Sequence, residues 1–170
     1  TKIKIFSKKD IKKQTIIAES DWSSASYFYS VVALSKIGTE IKLSAYKKES
    51  LQGDSCLTDI YNHFGVVTKF NQNSIILKKQ RKTNINTLKI NLKNSPDIAQ
   101  TIAVTSFGLG ISCDLLGLHT LKIKETDRLE ALKEELTKLG AKIAITNDSL
   151  HLPVSTKINE NIAIKTYNDH

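Results

Sequence analysis

The chain has 170 residues, of which 40% are hydrophobic and 25% charged, a balance that excludes a disordered segment and fits one domain or two small ones. Its two cysteines, Cys56 and Cys113, form no CxxC pair, which argues against a disulfide framework or a zinc site and fits a reducing cytoplasm. No apolar run approaches the roughly 20 residues of a membrane span, and a net charge of +8 admits nucleic acid, an anionic membrane or small anionic metabolites as partners.

Residues 1–6 lack the apolar core of a signal peptide. The chain contains no Met, initiator included, which predicts a piece cut from a longer protein. A strand is expected at 15–19. A helix follows at 23–37, with Ser20 and Asp21 as cap material, then a strand at 40–45 and a helix at 54–64. Gly65 sits where a helix end requires a positive φ. Strands at 66–70 and 74–78 close the unit around Asn71-Gln72-Asn73, which is hairpin material. The basic clusters Lys8-Lys9, Lys12-Lys13, Lys47-Lys48 and Lys78-Lys79-Gln80-Arg81-Lys82 carry few aromatics and read as solvated turns, which argues against nucleic acid.

The second half repeats this order. A strand is expected at 87–92 and a helix at 96–109, with Pro96 in its first turn. A strand at 118–123 and a helix at 126–139 follow, the latter with Leu129, Leu132, Leu136 and Leu139 on one face. A hairpin of 142–146 and 149–152 turns at Asn147-Asp148. Shifting the sequence by 75 residues superposes Gly65 on Gly140, Ser74 on Ser149 and Leu77 on Leu152. The chain is therefore α/β (α+β in layout), built from repeated βαβαββ units. A third copy is expected to start at 162–165 and to break off at Asp169-His170. Two such units leave an apolar face for a third, so reduced stability or self-association is predicted; a clean monomer by light scattering at high concentration contradicts it.

Three constellations could carry chemistry. Lys124, Glu125 and Arg128 lie at a strand-to-helix junction, where two cations four residues apart suit an anion and the acid between them suits proton transfer. Spacing alone equally allows a solvated ion-pair network with Thr126 or Glu125 as helix cap. Asp97, in Asn94-Ser95-Pro96-Asp97, occupies the equivalent junction of the first half of that unit and is either a general base or a first-turn acid favoured by the helix dipole. Residues 19–27 form a polar loop that reads best as a chain crossover and helix cap. His63, His119 and His151 are scattered singly, so no metal site is expected.

Together these blocks resemble the 5-enolpyruvylshikimate-3-phosphate synthase family. Glu19-Ser20-Asp21-Trp22-Ser23-Ser24-Ala25-Ser26-Tyr27-Phe28 is similar to that family's EGDxSSASYF block. Ser95 to Thr101 is similar to PDxAxT, Lys124 to Leu129 matches KETDRL, and Tyr167-Asn168-Asp169-His170 resembles the start of YNDHRMAM. Gln52-Gly53-Asp54 resembles its QGD loop. The resemblance implies the enolpyruvyl transferase fold, with about two of the three units of one domain. Residues 1–18 are then the tail of the other domain, 19–21 the crossover, 22–161 two units, and 162–170 the start of a third. It implies transfer of the enolpyruvyl group of phosphoenolpyruvate to the 5-hydroxyl of shikimate 3-phosphate in the cytoplasm. No metal or organic cofactor is involved, and the parent protein is expected to be monomeric.

By the same resemblance, Asp97 contacts the shikimate hydroxyls and accepts a proton, and Glu125 protonates the methylene carbon. Lys124 meets shikimate 3-phosphate and Arg128 meets phosphoenolpyruvate. Thr120 stands where some members have an asparagine on the shikimate substrate, a departure from the pattern. The site forms between two domains, one of them outside this chain, so the chain alone is expected to be inactive. Alternatives are the related transferase acting on UDP-N-acetylglucosamine, which lacks these blocks, and an RNA-binding or RNA 3′-phosphate cyclase-like module built from the same unit.

Overall fold

A computed structural model describes residues 2–7, 10, 12–155 and 157–169. The Lys8-Lys9 cluster and His170 lie outside them. The first unit runs α1 (Trp22–Leu34), β1 (Glu40–Ser44), α2 (Leu57–His63), β2 (Val66–Asn71) and β3 (Ser74–Lys79), with a 3-10 turn Gly53–Cys56 leading into α2. The second runs β4 (Thr87–Asn91), α3 (Ala99–Leu109), β5 (Ser112–Leu116), α4 (Arg128–Lys138), β6 (Ala144–Ile145) and β7 (Ser149–Leu152). A 3-10 turn Pro96–Ile98 precedes α3, and another, His119–Ile123, precedes α4.

Two sheets share one core. The first has the order β1-β3-β2, antiparallel throughout. The second has the order β4-β5-β7-β6, in which β4 and β5 are parallel and the rest antiparallel. The second unit is thus a complete βαβαββ unit. The first lacks its opening strand: 15–19 has no strand pairing, and Ile16 and Ile17 are 85% and 57% exposed. The chain joins the sheet only at Ser20, whose N–H donates to Ala45 O at 2.7 Å. The strand expected at 118–123 lies earlier, at Ser112–Leu116, and 118–123 is mostly a 3-10 turn. Nor is the strand expected at 162–165 present; those residues are irregular.

The helices pack on one another through small and hydroxylated side chains. On α1, Trp22, Ala25, Tyr29, Val32 and Ala33 are buried. Tyr29 stacks obliquely on Tyr61 of α2 at 5.1 Å between ring centroids. Ser30 of α1 meets Thr105 of α3 at 2.7 Å, and Tyr61 meets the same hydroxyl at 3.0 Å. Burial pushes the Tyr61 phenol up to about 12. The other face of this helix pair is open: Tyr27, Val31 and Leu34 are 61%, 55% and 45% exposed, and Val104 is 40% exposed. These residues form one wall of an apolar groove whose other wall is α4.

Lys79, expected in a solvated turn, is buried at the end of β3. Its Nζ donates to Ala33 O and Phe64 O, both at 2.6 Å, at the C-terminal ends of α1 and α2. A cation is favoured where two helix dipoles end, and the two bonds satisfy carbonyls that the helices leave unpaired.

A candidate active site at two helix-entry turns

Two turns of the second unit meet at one edge. Pro96 opens the turn that delivers Asp97, its fixed φ suiting the first turn of a helix. Residues 117–127 carry Lys124 and Glu125 and lead into Arg128, the first residue of α4. Asp127, not Glu125 or Thr126, caps α4: its Oδ1 accepts the N–H groups of Leu129 and Glu130, both at 3.1 Å. The helix therefore starts at Arg128. A carboxylate already occupies its end, which shifts anion recognition from the backbone to the Lys124 and Arg128 side chains.

Four of the expected residues come together. Asp97 Oδ1 lies 3.1 Å from Lys124 Nζ and 3.3 Å from Arg128 Nη1. Arg128 Nη2 lies 3.2 Å from Glu125 Oε2. Thr120 does not join them by any hydrogen bond among the described residues; its hydroxyl oxygen is buried without a partner. Lys124, Asp97 and Glu125 keep 32%, 38% and 46% of their side-chain surface exposed, whereas Arg128 keeps 10%. The exposed charges are thus open to a ligand, and the guanidinium is the fixed part.

Sequence reasoning missed what fixes it. Asp169 takes the Arg128 fork: Nε donates to Oδ2 at 2.9 Å and Nη2 to Oδ1 at 2.7 Å. The Asp169 side chain is 11% exposed, so this is a buried bidentate pair whose rupture costs about 3–5 kcal/mol. The Asp169 carboxylate first, and Asp97 and Glu125 after it, raise the proton affinity of Arg128 above its ordinary value. Tyr167 and Asn168 deliver Asp169 through two left-handed residues, φ 60° and 54°. Tyr167 is anchored by its hydroxyl on Glu134 and Glu135, at 2.5 and 2.7 Å. The sequence signal for this pairing lay in the quoted Tyr167-Asn168-Asp169 block, 41 residues beyond its partner.

The first unit braces the Asp97 turn. Ser95 Oγ donates to Gly53 O at 3.2 Å. A side chain on Gly53 would bring its Cβ within 2.3 Å of Asn94 O. Gln52 in turn clasps the start of α1, accepting the Trp22 N–H at 2.9 Å and donating to Ser20 O at 2.9 Å. The polar loop at 19–27 is therefore a helix cap, as expected: Asp21 accepts from Ser23 N at 3.0 Å and Ser24 N at 3.1 Å. Asp114, His151 and Ser149 also align, with Nδ1 to Asp114 at 2.9 Å and Nε2 to Ser149 at 3.0 Å. Ser149 Oγ is further bonded to Thr146 at 2.6 Å and the residue is 5% exposed. The Ser149 hydroxyl is thus buried and held by its two partners, and the group ties β7 to β5.

Comparison with known proteins finds relatives of this chain. A 3-phosphoshikimate 1-carboxyvinyltransferase of Bacteroides fragilis is 41% identical over 154 residues, covering 89% of this chain and 37% of that protein. One from Buchnera aphidicola subsp. Cinara cedri is 33% identical over 163 residues, covering 95% and 36%. The chain thus spans about a third of the length of such relatives. The 2.37 Å structure of EPSP synthase from Acinetobacter baumannii shares the fold over 86% of this chain and 34% of that one, with a TM-score of 0.62 at 18% identity. No helix among the described residues is long and apolar enough to cross a membrane. The EPSP synthase (3-phosphoshikimate 1-carboxyvinyltransferase) family matches residues 1–170 in full, and the chain belongs to that family.

Proposed function

We propose that this chain is one half of the active site of a cytoplasmic enzyme that transfers the enolpyruvyl group of phosphoenolpyruvate to the 5-hydroxyl of shikimate 3-phosphate, releasing phosphate. The observation that carries the reading is the convergence of Asp97, Lys124, Glu125 and Arg128 from two separate turns onto one cluster. Residues 22–161 are two units of one domain, 162–170 opens a third, and residues 1–18 belong to the other domain.

The chemistry needs a base for the attacking hydroxyl, an acid for the methylene carbon and cations for two anionic substrates. Asp97 is the base, pre-aligned by Lys124 and Arg128. Glu125 is the acid and is the most exposed of the four. Lys124 meets shikimate 3-phosphate and Arg128 the carboxylate of phosphoenolpyruvate, with Thr120 near the former. Addition of the hydroxyl at the phosphate-bearing enol carbon of phosphoenolpyruvate, with protonation of its methylene, gives a tetrahedral intermediate. Loss of phosphate and of a methyl proton then restores the double bond.

Within this chain, three carboxylates (Asp97, Glu125 and Asp169) surround two cations. Two anionic substrates therefore require further cations from the other domain. The purified 170-residue chain is expected to release no phosphate from the two substrates above background, whereas the intact enzyme does. Turnover by the chain alone contradicts the shared-site reading.

A further inference from the structure

Glu135 is a buried acid that the reaction above does not use. It is 8% exposed and follows Arg128 on α4 by two turns, on the same face. The segment 165–169 runs back along that face. At one end Glu135 Oε2 accepts the Lys165 N–H at 3.1 Å, and at the other Asp169 holds the Arg128 fork. Between them the Tyr167 hydroxyl meets Glu135 Oε1 at 2.7 Å. Lys138 fixes that acceptor, its Nζ lying 2.7 and 2.8 Å from the two Glu135 oxygens.

Tyr167 needs such a hold. It and Asn168 are both left-handed. Asn tolerates that backbone, but in an aromatic residue it persists only where the surroundings impose it. What imposes it is the pair of carboxylates on the Tyr167 hydroxyl, with the Lys165 ammonium 4.8 Å from the ring centroid. The two left-handed residues fold the chain back, so that the Asp169 N–H donates to Thr166 O at 3.3 Å and the Asp169 carboxylate meets Arg128. Asp169 takes the Nε and Nη2 side of the guanidinium. The Nη1 side is left toward Asp97, at 3.3 Å, inside the candidate site.

We propose that Glu135 and Tyr167 are positioning residues for the candidate site: they clasp the turn that sets Asp169 against Arg128, and so aim the guanidinium at its ligand. The proposal rests on Arg128 meeting phosphoenolpyruvate. A planar fork binds a carboxylate well only at one angle, and a small misplacement of a positioning group weakens it strongly.

Hydrogen exchange of the Arg128 Nε–H reports the clasp without substrate. In the intact enzyme, Tyr167→Phe speeds that exchange about tenfold, read by nitrogen-15 NMR. An unchanged rate, in an otherwise native spectrum, overturns the proposal. Glu135→Ala has the same effect, and Glu135→Gln, whose amide oxygen still accepts from the phenol, restores most of the protection. These variants decide even where Tyr167→Phe fails to fold. In turnover, Tyr167→Phe raises the KM for phosphoenolpyruvate about tenfold and leaves kcat and the KM for shikimate 3-phosphate within about twofold. Arg128→Lys is the reference. Where it raises the phosphoenolpyruvate KM but Tyr167→Phe only lowers kcat, the clasp is merely structural and the proposal is overturned. Where Arg128→Lys leaves that KM unmoved, the assignment of Arg128 to phosphoenolpyruvate falls instead, and the exchange rate still decides for or against the clasp.

Discussion

Asp97→Asn in the intact enzyme lowers kcat by about 10²–10⁴-fold, the range lost when a positioned general base is removed. The change is isosteric and leaves KM within a few-fold, because the amide still accepts from Lys124 and Arg128. Stability stays nearly constant for a physical reason. Asp97 keeps 38% of its side-chain surface and Lys124 keeps 32%, so their pair contributes about 0–1 kcal/mol. Arg128 retains Asp169, its buried partner, and Glu125. Phosphate release under saturating substrates, measured beside a denaturant melt of the same protein, separates the two effects. A kcat within about threefold of wild type, in a protein of unchanged stability, rules Asp97 out as the base.

Most elements were legible because local chemistry marks them. The helix ends at Gly65 and Gly140 carry φ of 83° and 99°, as two matching glycines predict. The leucine spacing of α4 buries Leu129, Leu132 and Leu136. What failed needed information from a distance. The expected strand at 118–123 has apolar residues that pack as a 3-10 turn, with Leu118 and Leu121 fully buried. A constant repeat shift fails here: β5 starts 72 residues after β1 (112 against 40), whereas β7 starts 75 after β3 (149 against 74). The connection that follows β5 is the one bearing Lys124 and Glu125. The segment 15–19 has strand composition but no strand partner among the described residues. Composition could not place Lys79 under two helix ends, and no local rule pairs Arg128 with an aspartate 41 residues on.

Gly65→Ala is expected to destabilise the chain by about 3 kcal/mol or more, a large part of the ~5–15 kcal/mol that holds a domain together. Two costs combine. The left-handed φ of 83° alone costs an L side chain about 1–2 kcal/mol. A Cβ there would also lie 2.0 Å from Arg81 O and 3.1 Å from Lys82 O. Both atoms are backbone, so no side chain can swing aside to relieve the contact. Gly65 is besides bonded into that strand exit, its O accepting from Gln80 N at 2.9 Å. Relief must therefore part α2 from the segment that leads to the second unit. Gly38→Ala isolates the first cost, since Gly38 has φ 98° and nothing within 4 Å of a built Cβ. Its expected loss is about 1–2 kcal/mol, and the difference between the two variants in a urea melt measures the clash. Equal losses at the two positions would mean that the 80–82 segment yields freely, and that the end of α2 does not hold the two units in place.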